Sequence, residues 1–352
     1  MNKRNQHTKR IEPKAGKFPH GKDNSLTDIK GVRIGHLSIH KDTEEKSGEQ
    51  VCIRTGLTAV FPYPLEKNIR LFIGSYIFRA KHEITGYEVT EDFCYVNSPI
   101  VITNSVNVGR AYNAVLSYGF SLGLDETWPP FVVGLDDSFL NDMSRSFLEE
   151  KDILKTFDDA SEDRPQEGSV GIGLGLRAFH WKGGIGTSSR TIALGNKQFT
   201  CGVLVASNHG NQGVSSEDDP GKADSEKGSL VMVMGVDIPL IPYQIKKIAG
   251  SCMAGLNPVH SLKNCSDSII CILFSTANPM KMEERNSLIY DFQVMDDSCL
   301  EKVILASSEA IREALINSMV KADPVKGRLG RKVETIPDGE LNKLIKRIET
   351  DG

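Results

Sequence analysis

A glycine and a serine stand together at positions 228 and 229, immediately before the apolar run Leu230-Val231-Met232-Val233-Met234. The pair sets a hydroxyl at the junction of a loop and a buried strand. The preceding stretch 211–227 (NQGVSSEDDPGKADSEK) has one aliphatic side chain larger than Ala, Val214. That is too little apolar surface to offset the entropy of ordering it, so a solvated loop is expected. Breaking the Gly228-Ser229 bond would turn the loop into a free C-terminus and give Ser229 an α-amino group beside its own hydroxyl. With an unperturbed pKa of roughly 7.7 to 8.0, that amine accepts the hydroxyl proton near neutral pH without a histidine. Attack on the preceding carbonyl calls for close approach and an unusual backbone angle, both of which glycine permits. Gly-Ser is also ordinary turn punctuation, so the surrounding residues decide.

Acyl transfer needs, besides a nucleophile, donors aimed at a developing oxyanion. Asn208 stands between an apolar run and Gly210, with an amide able to donate; an Asn-x-Gly turn is the competing reading. His209 has no paired carboxylate motif and reads as a turn histidine. The glycine-rich segments 168–175 and 183–190 lack the spacing of a dinucleotide fingerprint and the G-K-[ST] of a P-loop. On residue types and spacing alone, close backbone packing between layers is the plain reading of both, and Arg190 is either an ion-pair partner or a substrate contact.

Three continuous apolar runs at 199–207, 229–236 and 268–275 predict strands of a sheet covered on both faces. Earlier strands are expected at 50–60, 71–76 and 99–104, with extended chain at 32–40. Helices are expected at 112–118, 139–157, from Pro242 to about 257, at 309–320 and from Asp338 onward. This alternation means α/β layers.

With 352 residues, 25% of them charged, and no linker beyond the loop before Ser229, one domain over 25–352 is expected. Residues 1–24 carry seven Lys/Arg against two acids, a net of +5 that leaves the remainder at −9 of the total −4. They read as a disordered basic leader without a secretory h-region. An acidic body without a nucleic-acid motif argues against DNA or RNA, and no apolar stretch of about 18 residues suggests a membrane span. Seven scattered cysteines without a C-x-x-C pair fit reduced thiols in a cytoplasmic protein. His36 and His40 on extended chain lie roughly 13 Å apart, too far for one metal. Neither metal nor cofactor is expected.

Lys182-Gly183-Gly184-Ile185-Gly186-Thr187-Ser188-Ser189-Arg190, residues 202–210 (GVLVASNHG), Val236-Asp237-Ile238-Pro239-Leu240 and residues 272–278 (ILFSTAN) follow one another. Residues 26–36 (LTDIKGVRIGH), 99–105 (PIVITNS) and Leu140-Asn141-Asp142 precede them, and 327–330 (GRLG) follows. In this order and spacing the segments resemble the L-aminopeptidase/D-esterase family, which includes DmpA-type enzymes and β-peptidyl aminopeptidases. The resemblance implies a four-layer αββα sandwich, similar to N-terminal-nucleophile hydrolases but joined in a different chain order. It also implies self-cleavage into 1–228 (α chain) and 229–352 (β chain), an aminopeptidase, amidase or esterase acting through an acyl-enzyme on Ser229, and a homotetramer. By the same resemblance Asn208 is the oxyanion donor and Ser266 a relay to the nucleophile.

Three departures from the family pattern bear on chemistry. Where the family has Ser-Gly-acid, the chain has Ser266-Asp267-Ser268, and adjacent strand side chains face opposite ways; Asp267 and Ser268 are thus candidates for a modified relay. Leu135 stands about where family peptidases place a glutamate for the substrate ammonium, so Asp136 or Asp137 is the candidate replacement. Residues 78–83 (FRAKHE) replace an Asn-Gly-rich turn, which predicts a changed pocket wall. Two other readings remain beside the hydrolase. One is an acyltransferase of the ornithine-acetyltransferase type, which Ser in place of Thr argues against. The other is an uncleaved homologue acting by binding.

Overall fold

The computed structural model describes residues 16–44, 50–124, 129–209, 228–252, 256, 267–282 and 289–350. In chain order the first half runs β1 (Arg33–Glu44), β2 (Gln50–Phe61), β3 (Ile69–Phe78), α1 (Tyr87–Phe93), β4 (Tyr95–Val96), β5 (Ile100–Asn104), α2 (Val108–Ser121), β6 (Phe131–Leu135) and α3 (Glu150–Asp158). The second half runs β7 (Arg177–Ala178), β8 (Trp181–Lys182), β9 (Gly184–Leu194), β10 (Lys197–Asn208), β11 (Ser229–Val236), α4 (Pro242–Ser251), β12 (Ser268–Lys281), α5 (Leu300–Val320), β13 (Val325–Lys326), β14 (Lys332–Val333) and α6 (Asp338–Thr350).

One sheet has the order β1-β2-β5-β6 and the other β4-β3-β12-β11-β10-β9. Side-chain alternation stacks them. In β11, Leu230, Met232 and Met234 pack toward α4 and α5, against Ile245, Ile248, Ile311 and Leu315. Val231 and Val233 point the other way and meet Ile34, Val60, Ile102 and Val133 of the first sheet. The outer face of that sheet is covered by Ala111 and Val115 of α2 and by Ile153 and Phe157 of α3. Each such aliphatic side chain contributes about 1.5–3 kcal/mol on full burial, which is why β11 is buried along its whole length. The layers are therefore α, β, β, α, as expected.

Several boundaries differ from the sequence reading. The helix expected over 139–157 is confined to Glu150–Asp158. Before it, the Asp136 and Asp142 carboxylates accept from the N–H of Ser138 (2.9 Å) and Ser144 (2.8 Å); such local bonds compete with helix formation. Helix α5 starts at Leu300 rather than near 309, because Leu300, Val303 and Ala306 extend its buried stripe past Ser307 and Ser308. Residues 16–24 are not a disordered leader. The Lys17 N–H donates to Glu309 Oε1 at 2.7 Å, Asn24 Nδ2 donates to Glu313 Oε1 at 2.6 Å, and the Thr191 N–H donates to Pro19 O at 2.7 Å. Polar backbone and side-chain groups thus hold a segment that has little apolar surface of its own. Arg190 is buried with both of these glutamates, at 3.3 Å from Glu309 and 2.9 Å from Glu313, as an ion-pair partner.

Candidate active site

The site forms where β10, β11 and β12 run side by side. Asn208 pairs with Ser229 in antiparallel register, and Ser229 pairs with Ser268 in parallel register. Residues directly opposite on neighbouring strands share a face, with Cβ atoms about 5 Å apart. The alternation that sends Val231 and Val233 between the sheets sends Ser229 there too, and the same parity applies to Asn208 beyond Leu204 and Ala206, and to Ser268 before Ile270. All three side chains are buried. The Ser229 and Ser268 hydroxyls form no hydrogen bond among the described residues.

Gly228 is held on both sides of its backbone. Its N–H donates to Asp267 Oδ1 at 2.9 Å, and its carbonyl accepts from the Ser268 N–H at 3.0 Å. The second contact places a donor on the carbonyl that Ser229 would attack. Gly228 has no left-handed φ, so the unusual backbone angle expected of it is absent. What requires glycine is space: a Cβ would meet Asn208 O at 2.6 Å, Asp267 Oδ1 at 2.7 Å and His209 Cα at 2.9 Å. Asp267 thus meets Gly228 rather than Ser229, in keeping with the alternation of neighbouring side chains.

The Asn208 amide is fixed at both ends: Oδ1 accepts from the Arg177 N–H at 3.1 Å, and Nδ2 donates to Asp136 O at 2.6 Å. An amide nitrogen has two N–H groups, and among the described residues the second has no acceptor and could serve an oxyanion. His209 lies on the opposite face, with Nδ1 at 3.0 Å from Ser207 Oγ and its ring edge-on to Phe179.

Leu135 is buried among the inter-sheet side chains. The two aspartates after it part company. Asp137 is buried, accepting from Asn104 Nδ2 at 3.1 Å and Asn141 Nδ2 at 3.0 Å. Burial pushes its carboxyl up to about 6, against the opposing effect of those hydrogen bonds. Asp136 instead lines a cavity of about 500 Å³ with Lys81, His82, Ser105, Ser138 and Met143. Through its carbonyl Asp136 also accepts from Asn208 Nδ2, which ties this cavity wall to the row of Asn208, Ser229 and Ser268. Ser266 and the loop 211–227 lie outside the described residues.

Two contributors escaped the sequence reading. The Ser268 N–H on the Gly228 carbonyl is a backbone group with no residue signature. Lys182 is fully buried, and its Nζ donates to the carbonyls of Gly173, Leu176 and Gly183, each at 2.7 Å; burial pushes its amine down to about 7. These contacts pin the turn whose Arg177 N–H holds Asn208. A lysine directly before Gly183-Gly184 was the available signal, since close backbone packing there leaves carbonyls in need of a donor.

The sequence profile of peptidase family S58 matches residues 24–333. The chain is 29% identical over 360 residues to the β-peptidyl aminopeptidase BapA of Sphingosinicella microcystinivorans, with 95% of this chain and 90% of that protein covered. Among solved structures it resembles the L-aminopeptidase D-Ala-esterase/amidase of Ochrobactrum anthropi, a variant of the Ntn-hydrolase fold, with a TM-score of 0.83 at 28% identity over 94% of this chain and 96% of that one. A Burkholderia sp. β-aminopeptidase gives a TM-score of 0.82 at 25% identity, with 95% and 96% covered.

Proposed function

Because this chain belongs to peptidase family S58, we propose that it is a self-processing serine aminopeptidase and amidase in which Ser229 is the nucleophile of both maturation and turnover. The observation that carries this reading is the row Asn208, Ser229, Ser268, with the Gly228 carbonyl hydrogen-bonded to the Ser268 N–H.

In maturation, Ser229 Oγ attacks the Gly228 carbonyl carbon while the Ser268 N–H stabilises the oxyanion. Collapse breaks the C–N bond, leaving an ester on Oγ and a free amine on Ser229. Water then hydrolyses the ester and leaves a carboxylate on Gly228. In turnover the freed amine takes the proton of its own hydroxyl, with Ser266 as the relay and the Ser268 hydroxyl beside it. Asn208 Nδ2 donates to the substrate oxyanion, and Asp136 receives the substrate ammonium. The acyl-enzyme is released by water, which yields the N-terminal residue of a short peptide, amide or ester.

Assembly as a homotetramer of processed protomers belongs to the same proposal. The exposed apolar side chains Ile289, Val294 and Leu305 offer contact surface for a second copy. A cytoplasmic setting is supported by the buried free thiols of Cys201, Cys252 and Cys271; among the described residues no helix is long and apolar enough to cross a membrane. The test is the intact mass of purified protein followed by assay on aminoacyl anilides. Two fragments meeting at 228/229 and release of the aniline are expected, and a single inert chain would overturn the proposal.

A further inference from the structure

Part of the cavity wall comes from the segment that departs from the family pattern. The chain runs antiparallel to β6 there: Ile84 bridges Val133, the Gly134 N–H donates to Glu83 O at 2.8 Å, and the Thr85 N–H donates to Val132 O at 2.9 Å. Lys81 and His82 directly precede this pairing and line the cavity with Asp136. The cavity therefore has a cation and a carboxylate in its lining, beside the hydroxyl-bearing Ser105 and Ser138. His82 Nε2 is shielded from solvent and makes no hydrogen bond among the described residues. Burial lowers the basicity of that ring, Asp136 opposes the effect and Lys81 reinforces it, so both charged groups act on His82.

A pocket for an ammonium alone needs only the carboxylate, and a lysine near it would repel that ammonium. A ligand carrying both signs offers each of the two groups its opposite charge. We propose that the pocket selects an acyl group bearing a carboxylate as well as an ammonium, with Lys81, His82 and the Ser138 hydroxyl receiving the carboxylate and Asp136 the ammonium. This rests on the aminopeptidase reading above. The chemistry is that of an N-terminal aspartyl residue, linked through its α- or its β-carbonyl. The β-linked form is β-alanine with a carboxylate added on the carbon that bears the amine.

The β-linked pair gives a clean comparison, because β-aspartyl and β-alanyl p-nitroanilides differ by the carboxylate alone; α-aspartyl and alanyl p-nitroanilides give the α-linked arm. On processed protein, kcat/KM for the aspartyl member of at least one pair is expected to exceed its partner by about tenfold to a hundredfold, the range for a hydrogen bond to a charged group. Which pair shows the preference identifies the linkage. Lys81→Met should bring the ratio close to one and Lys81→Glu should invert it, with two-chain processing of each variant by mass reporting that it folds. Alanyl substrates cleaved as well as or better than both aspartyl ones would overturn this inference and leave the aminopeptidase reading standing. A processed protein that cleaves none of the four would overturn both.

Discussion

Replacing Gly228 by alanine probes the scissile bond without touching the nucleophile. The new Cβ would lie 2.6 Å from Asn208 O, 2.7 Å from Asp267 Oδ1 and 2.9 Å from His209 Cα, all inside van der Waals contact. Two of the three obstacles are backbone atoms of β10 and its continuation, which the sheet holds in place. Gly228 must therefore move, and its 2.9 Å bond to Asp267 and 3.0 Å bond to the Ser268 N–H must stretch. Overpacking of this kind costs about 1–3 kcal/mol. If that cost falls on the geometry in which Ser229 reaches the carbonyl, cleavage slows by about fivefold to about a hundredfold. The assay is the fraction of intact chain against time after a short pulse of expression, read by mass. Gly228→Ala processed at the rate of the unmutated protein would refute the argument, because it would mean that the hold on the scissile carbonyl has no part in the reaction.

Ser229→Ala is expected to leave one uncleaved, folded chain, since a small side chain replaces a small one; cleavage persisting at 228/229 would exclude Ser229 as the nucleophile of maturation. Asp136→Asn, measured on processed enzyme, should lower kcat/KM for free-amine substrates about tenfold to a hundredfold relative to N-blocked esters, and equal losses on both would mean that the amine is held elsewhere. Asp137 should instead show itself in stability. Its folded pKa of about 6 lies above the ordinary 3.8, so its contribution is fully present below pH 3.8 and is lost as pH rises through 6, about 3 kcal/mol in all. Subtracting the pH profile of Asp137→Asn from that of the unmutated protein by denaturant titration should reveal this slope, and parallel profiles would contradict it. Lys182→Met leaves three buried carbonyls without their donor and should lower Tm; an unchanged Tm would mean that relief from burying an ammonium balances all three contacts.

The strands carrying the candidate site were legible because β10, β11 and β12 are apolar on both faces, and only a sheet between two layers asks for that. Ser229, Asn208 and Ser268 were each named from sequence, yet their lining up in one row depends on inter-strand register, which the linear order of the residues does not state. Which of Asp136 and Asp137 faces the cavity was not legible either. That is decided by Asn104, 33 positions upstream of Asp137, which draws one carboxylate inward and leaves its neighbour in the cavity. At Gly228 the sequence suggested two demands, close approach and an unusual backbone angle, and only the first has a counterpart in the structure. A conformational demand leaves the same letter in a sequence as a demand for room, and here the need is for room.

The strand order β4-β3-β12-β11-β10-β9 acquires another meaning once the 228/229 bond is cut. The two middle strands then belong to one polypeptide and the strands flanking them to the other, so a sheet folded as one chain becomes a weave of two. The longer piece would keep a sheet with its centre missing, and the shorter one two parallel strands with both edges bare. Loss of structure becomes separation of partners, and recovery requires two molecules to find each other, at a rate that falls with dilution. The precursor folds with its whole topology encoded in a single thread. Its product has no such route back and persists only for as long as it does not open.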